Sequence, residues 1–151
     1  MTARALLIVL VLLSLPALAQ DKPRPNWIAD AKTGCRVSNP DPGPDESVSW
    51  SGDCKDGFAE GRGVLQWFLH GKPGDRYEGE FRGGKFDGHG TYTFVNGGRY
   101  EGEFGADRPT GTGTYTTDDG EVFSGTWANG CFSQGNRQAG VLSSKEECGA
   151  E

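Results

Sequence analysis

Residues Tyr77-Glu-Gly-Glu-Phe81-Arg-Gly-Gly-Lys-Phe-Asp-Gly88-His-Gly90-Thr-Tyr92 decide how this chain reads. The same pattern restarts 23 residues on, at Tyr100-Glu-Gly-Glu-Phe104, and closes with Gly111-Thr-Gly113-Thr-Tyr115. A further copy begins at Phe123-Ser-Gly125-Thr-Trp127 and keeps Asn129-Gly130. An earlier one runs from Trp50-Ser-Gly52-Asp-Cys54 to Gly61-Arg-Gly63-Val-Leu65, starting 27 residues ahead of Tyr77. Its four extra residues fall between His70 and Asp75, where Gly71, Pro73 and Gly74 suggest a lengthened loop. Self-similarity at a fixed period of this length marks a repeat architecture.

Within each copy the alternation is that of strands. Tyr77, Gly79 and Phe81 fall on one face, Glu78, Glu80 and Arg82 on the other. On the partner strand Gly88, Gly90, Tyr92 and Phe94 share a face opposite His89, Thr91 and Thr93. Rings therefore meet glycines, and a backbone without Cβ leaves room for a ring to lie flat on it. Asp56-Gly57, Gly83-Gly84 and Asn129-Gly130 supply the positive φ that tight hairpins need. The links Asn96-Gly97-Gly98 and Asp118-Asp119-Gly120 recur at the same period. The expected fold is all-β: an elongated, single-sheet solenoid of consecutive antiparallel β-hairpins.

The pattern Y-x-G-x-[FW]-x-x-G-x-x-x-G-x-G resembles the MORN repeat, with Tyr77, Gly79, Phe81, Gly84, Gly88 and Gly90 in register. The copy at 100–117 departs at Asp107, where the turn glycine is expected, and that at 50–67 has Trp50 and Cys54 at the aromatic positions. The copy at 123 breaks off after Gly130, with Gln134 where Gly88 would align. The resemblance implies a hairpin solenoid with a scaffolding or docking role. It also implies, for some members, phosphoinositide binding or a fused kinase or methyltransferase domain. Negative charge speaks against the first here, and no residues remain for the second.

Composition agrees with a ring-and-glycine interior. All 16 aromatic residues lie beyond residue 19, against only ten Val, Leu and Ile there, and the chain has 25 glycines. The first 19 residues read as an export signal: Arg4, an apolar run from Ala5 to Leu15, and Ala17-Leu18-Ala19 ahead of cleavage before Gln20. That run is too short to span a membrane. Removing Arg4 leaves 14 basic and 21 acidic residues, a net charge of −7, which disfavours nucleic acid and anionic lipid as partners. Export makes disulfides the expected state of Cys35, Cys54, Cys131 and Cys148. Three pairings are open; grouping at the two ends of the chain favours Cys35 with Cys54 and Cys131 with Cys148. A zinc site is disfavoured, since there is no CxxC and neither histidine stands at ligand spacing from a cysteine.

The organisation expected is thus a signal peptide at 1–19, an irregular Pro-rich leader at 20–49, hairpin repeats at 50–135 and a cap at 136–151. The leader holds Pro23, Pro25, Pro40, Pro42 and Pro44. In the cap, Ser143-Ser-Lys-Glu146 reads as a capping box opening a short C-terminal helical turn. Solenoid ends need closing, and both cysteine groups sit there.

Candidate sites are weak. Outward carboxylates are expected in rows, Asp53, Glu80 and Glu103 in one and Glu78 and Glu101 in another, suited to a cationic peptide or calcium. Phe58, Phe86 and Phe132, at or beside turns, are expected as exposed contact points. The run Trp67-Phe68-Leu69 with the loop from His70 to Asp75 interrupts the array, and interruptions often mark a binding face. GxSxG, HExxH and SxxK are absent, and His70 and His89 have no nucleophile context. The reading is a non-enzymatic exported scaffold, without cofactor or metal, that holds a protein partner in the cell envelope. An envelope lipid or glycan held by exposed aromatics is the alternative.

Overall fold

The computed structural model describes residues 26–39, 42–144 and 146–149. The expected signal segment 1–19 and Pro23, Pro25 and Pro40 of the leader lie outside them. Twelve strands form one sheet: β1 (Trp27–Ala29), β2 (Arg36–Ser38), β3 (Glu46–Trp50), β4 (Asp53–Lys55), β5 (Phe58–Leu69) and β6 (Lys72–Arg82). After these come β7 (Lys85–Thr93), β8 (Arg99–Gly105), β9 (Arg108–Thr116), β10 (Val122–Ala128), β11 (Cys131–Gln134) and β12 (Arg137–Gly140). The order is β1-β2-β5-β6-β7-β8-β9-β10-β11-β12, with β3 and β4 also paired to β5. From β5 onward every strand is antiparallel to the one before it. The sheet is open and curled, as the repeat predicts.

Register explains the core. Gly63, Gly79, Gly90, Gly102, Gly113 and Gly125 lie opposite one another in a continuous row across β5 to β10. A second row, Leu65-Tyr77-Tyr92-Tyr100-Tyr115-Phe123, runs beside it. Tyr77 reclines over Gly79 and Gly90, Tyr100 over Gly102 and Gly113, and Trp50 over Gly63. A Cβ built on Gly90 would fall 2.3 Å from the Tyr77 Oη, so only glycine permits the approach. Tyr77 donates to the Glu80 carbonyl at 3.2 Å, and Tyr100 repeats the bond to the Glu103 carbonyl at 3.2 Å. Buried phenols thus keep a partner, as buried polar groups require.

Phe86 and Phe132 correct the expectation of exposed contacts: both are buried. With Ala59 and Pro109 they occupy the same place in successive hairpins, two residues beyond the turn, and all four are buried. Alternation from the turn puts this position on the ring face. Phe86 stacks on Tyr77 with centroids 3.9 Å apart. Phe58, one residue earlier in the pattern, is half-buried beneath Trp27 and the Arg36 guanidinium, 3.9 Å from its ring centre.

The hairpin tips are stitched together. Gly84 N–H donates to the Ala59 carbonyl, Asp107 N–H to that of Phe86, and Gly130 N–H to that of Pro109. Asp107, standing where the repeat wants glycine, adopts a φ of 72°. Its carboxylate accepts from the Phe86 N–H at 2.8 Å, a bond glycine could not supply.

Two further expectations change. The leader is not irregular, since it contributes β1, β2 and β3. Asp30 organises it: its carboxylate accepts from the N–H of Lys32, Thr33 and, at 2.7 Å, Trp50. Nor does the segment from His70 to Asp75 form a long loop. His70 and Gly71, with φ of 50° and 74°, make a two-residue turn, and the extra residues lengthen β5 and β6. Bonding to β3 on the far side of β5 holds that extension in the sheet.

Both ends are stapled, Cys35 to Cys54 and Cys131 to Cys148. The described residues contain no helix. The reciprocal bonds of a capping box are present but one residue later than expected: Glu147 N–H donates to Ser144 Oγ, and Ser144 N–H to the Glu147 carboxylate. Ser143 is already engaged, donating to the Asn129 carbonyl and accepting from Arg108.

Candidate binding groove

A groove of about 510 Å³ lies over part of the aromatic face. Trp67, Phe86 and Tyr92 form its apolar floor, with Trp67 6.1 and 6.0 Å from the other two rings. Ser38, Asn39, Glu46, Phe68, Leu69, Asp75, Val95, Asp107, Arg108 and Leu142 also line it. Residues from both ends of the chain meet here, because the β2 terminus rests on the Gly83-Gly84 turn and the tail returns to Arg108.

The groove's polar groups are held in place by neutral donors. Asp75 accepts from the Tyr92 hydroxyl at 2.8 Å and from the Val95 N–H at 2.8 Å. Glu46 accepts from Asn39 Nδ2 at 2.9 Å and from the Gly43 N–H at 3.1 Å. Burial first, then the nearby charges of Asp75 and Glu46, push the Tyr92 phenol far above its usual range. Burial also raises the Asp107 carboxyl, against the opposing pull of the Phe86 N–H, Ser38 and Lys85. The single cation in the lining, Arg108, bonds Ser143 at 2.8 Å and Glu147 at 2.9 Å.

Of the sequence candidates, Trp67, Phe68 and Phe86 come together in this groove. His70 stands outside its lining at the hairpin tip, 3.5 Å from Asp45 and exposed. Phe58 packs at another place, under Trp27. The acidic rows are interrupted: Thr91 lies between Glu78 and Glu101, and Asp53 opposes Glu60 rather than Glu80. Carboxylates on alternate strands stand roughly 9–10 Å apart, too far to share an ion. Glu78 and Glu101 instead pair with Arg76 at 2.8 Å and Arg99 at 2.7 Å, and the Arg76 bond holds Glu78 below the usual carboxylate range. Glu80 and Glu103 fold over the Gly88 and Gly111 backbone. Among the described residues no group of three or more His, Cys, Asp or Glu gathers to hold a metal.

Sequence reasoning reached the segment ending at Asp75 and took Tyr92 as a core ring, but missed Glu46, Val95 and Asp107 as groove residues. Asp75 had a signal, since it lies in the four-residue excess of the first copy. Glu46 had none, because nothing in the sequence tells that residues 46–50 pair with β5.

The family model for the MORN repeat matches residues 50–68, 77–99 and 100–122. The array is a MORN-repeat array. The copy beginning at Phe123 lies beyond the matched residues, although β10 keeps its place in the glycine and ring rows. No curated protein matches the chain. MORN arrays generally serve as non-catalytic scaffolds, often binding protein or lipid. In this MORN array the two disulfides fit an oxidising compartment.

Proposed function

We propose that the chain is an exported, non-enzymatic MORN scaffold that holds a protein partner in the cell envelope through the groove over Trp67. One observation carries this reading. Leu69 and Val95 are 57% and 73% exposed and both line the groove, so apolar surface gathers at one concave place rather than being scattered. Export is supported by the Arg4 to Ala19 segment and by the disulfides. The absence of GxSxG, HExxH and SxxK supports a holding role.

Fractionation of cells expressing the full chain, with a photocrosslinker in place of Val95, tests the proposal. The expected result is an envelope or secreted protein starting at Gln20 that gives one discrete protein adduct, lost on Leu69→Asp. Recovery from the cytosol with residues 1–19 intact, or adducts only to lipid or glycan, would overturn it.

A further inference from the structure

The groove's charges narrow the partner's chemistry, an inference that rests on the docking role proposed above. Outside the groove, Glu78, Asp87, Glu101, Glu121 and Glu147 each have an arginine within 3.2 Å. Glu60, Glu103 and Asp119, also outside it, have no Lys or Arg within ion-pair distance among the described residues, and the groove's carboxylates are of this second kind. Among the described residues neither Glu46 nor Asp75 has a Lys or Arg within ion-pair distance, and their bonds come from an amide, a phenol and backbone N–H groups. Those donors fix the carboxylates without neutralising them. Arg108 cannot offset them, being committed to Ser143 and Glu147.

Apolar surface lies beside this charge. Among the described residues Leu69, Val95 and Val122 are the exposed large hydrophobics, and the first two flank the groove. Its size falls within the range of pockets that seat a few side chains. A purely apolar ligand would leave Glu46 and Asp75 desolvated without compensation, and an anionic headgroup would meet them as like charges. A cation on an apolar stem answers both features and can also use the ring face of Trp67.

We propose that the groove takes a short basic and apolar segment of a protein partner, an apolar side chain packing on Trp67 between Leu69 and Val95 while an adjacent Lys or Arg meets Asp75 and Glu46. Asp75 holds the Tyr92 hydroxyl at 2.8 Å, which places its charge at the floor, and Glu46 lines the same groove.

Titration of the full, disulfide-bonded chain with acetyl-Lys-Leu-Phe-Lys-amide, read by tryptophan fluorescence, tests this. A saturable change is expected, absent with acetyl-Glu-Leu-Phe-Glu-amide and lost in Trp67→Phe. The double variant Glu46→Gln, Asp75→Asn should weaken binding by about tenfold. Val95 is exposed and outside the core, so its variants test charge without risk to folding. Val95→Glu should bind about tenfold more tightly than Val95→Lys, both variants having lost the valine contact alike. No saturable binding, equal binding of the acidic peptide, or indifference to the Val95 charge would overturn the proposal. A discrete protein adduct whose partner presents an acidic segment would sink this inference alone, whereas no protein adduct at all sinks the docking role itself.

Discussion

Tyr100 lies across Gly113 so closely that a Cβ there would fall 2.1 Å from its Oη and 2.5 Å from its Cζ. Gly113→Ala must displace a ring that is fully buried. Overpacking of this kind costs about 2–3 kcal/mol. Gly105→Ala, meeting only Thr110 Cγ2 at 3.4 Å and without a positive φ, should change stability by less than about 0.5 kcal/mol. Urea midpoints compare the two, and equal losses would mean that ring-over-glycine packing does not hold the sheet.

Asp30 is a charged side chain that is only 4% exposed. Burial works to raise its carboxyl, but the N–H groups of Trp50, Lys32 and Thr33 and the Lys32 charge outweigh that and hold it below 3.8. A lowered folded value means stability present above the unfolded value and lost as pH falls through the folded one. Thermal melts between pH 2 and pH 6 should therefore show an acid loss that Asp30→Asn flattens. Asp30→Ala, which orphans the Trp50 N–H, should cost about 2–4 kcal/mol at neutral pH.

Asp107 carries the opposite sign. Its folded carboxyl is raised by burial, so the contribution is fully present below the unfolded value and is lost as pH climbs through the folded one. Asparagine tolerates the positive φ and can still accept from the Phe86 N–H. Asp107→Asn should raise stability at pH 7, and the two proteins should converge at pH values below the ordinary carboxylate range. A variant less stable at neutral pH would show that the carboxylate charge is needed in place.

The disulfides close loops with sequence separations of 19 and 17. Each is worth about 3 kcal/mol in the chain-entropy description. Replacing Cys35 and Cys54 by serine, or Cys131 and Cys148, should lower the urea midpoint by comparable amounts. If only one pair matters, the other end of the sheet closes without help.

Much of this architecture was readable from spacing alone. The period of 23 residues set which side chains share a strand, and alternation from Tyr77 put rings and glycines on one face, as the register bears out. Cysteine grouping also favoured the pairing that forms. What escaped the sequence depended on contacts with no period. Trp27, Ile28 and Val37 lie in three-residue strands too short for alternation to register. Phe86 looked like a turn residue because its equivalents are Ala59, Pro109 and Phe132, so no shared residue type marks the position. Glu46 had no place until the register of β3 on β5 gave it one, and Asp75, at the end of the interrupted segment, gained its partner only through the Tyr92 hydroxyl bond.

Ser38 and Leu142 border the same groove although 104 residues separate them. The number of hairpins between them is what brings one terminus within reach of the other's flank. Array length therefore acts as a ruler: an added copy would leave the rod intact while carrying Leu142 away from the cleft it helps enclose. Such a chain would keep its rigidity and lose its grip.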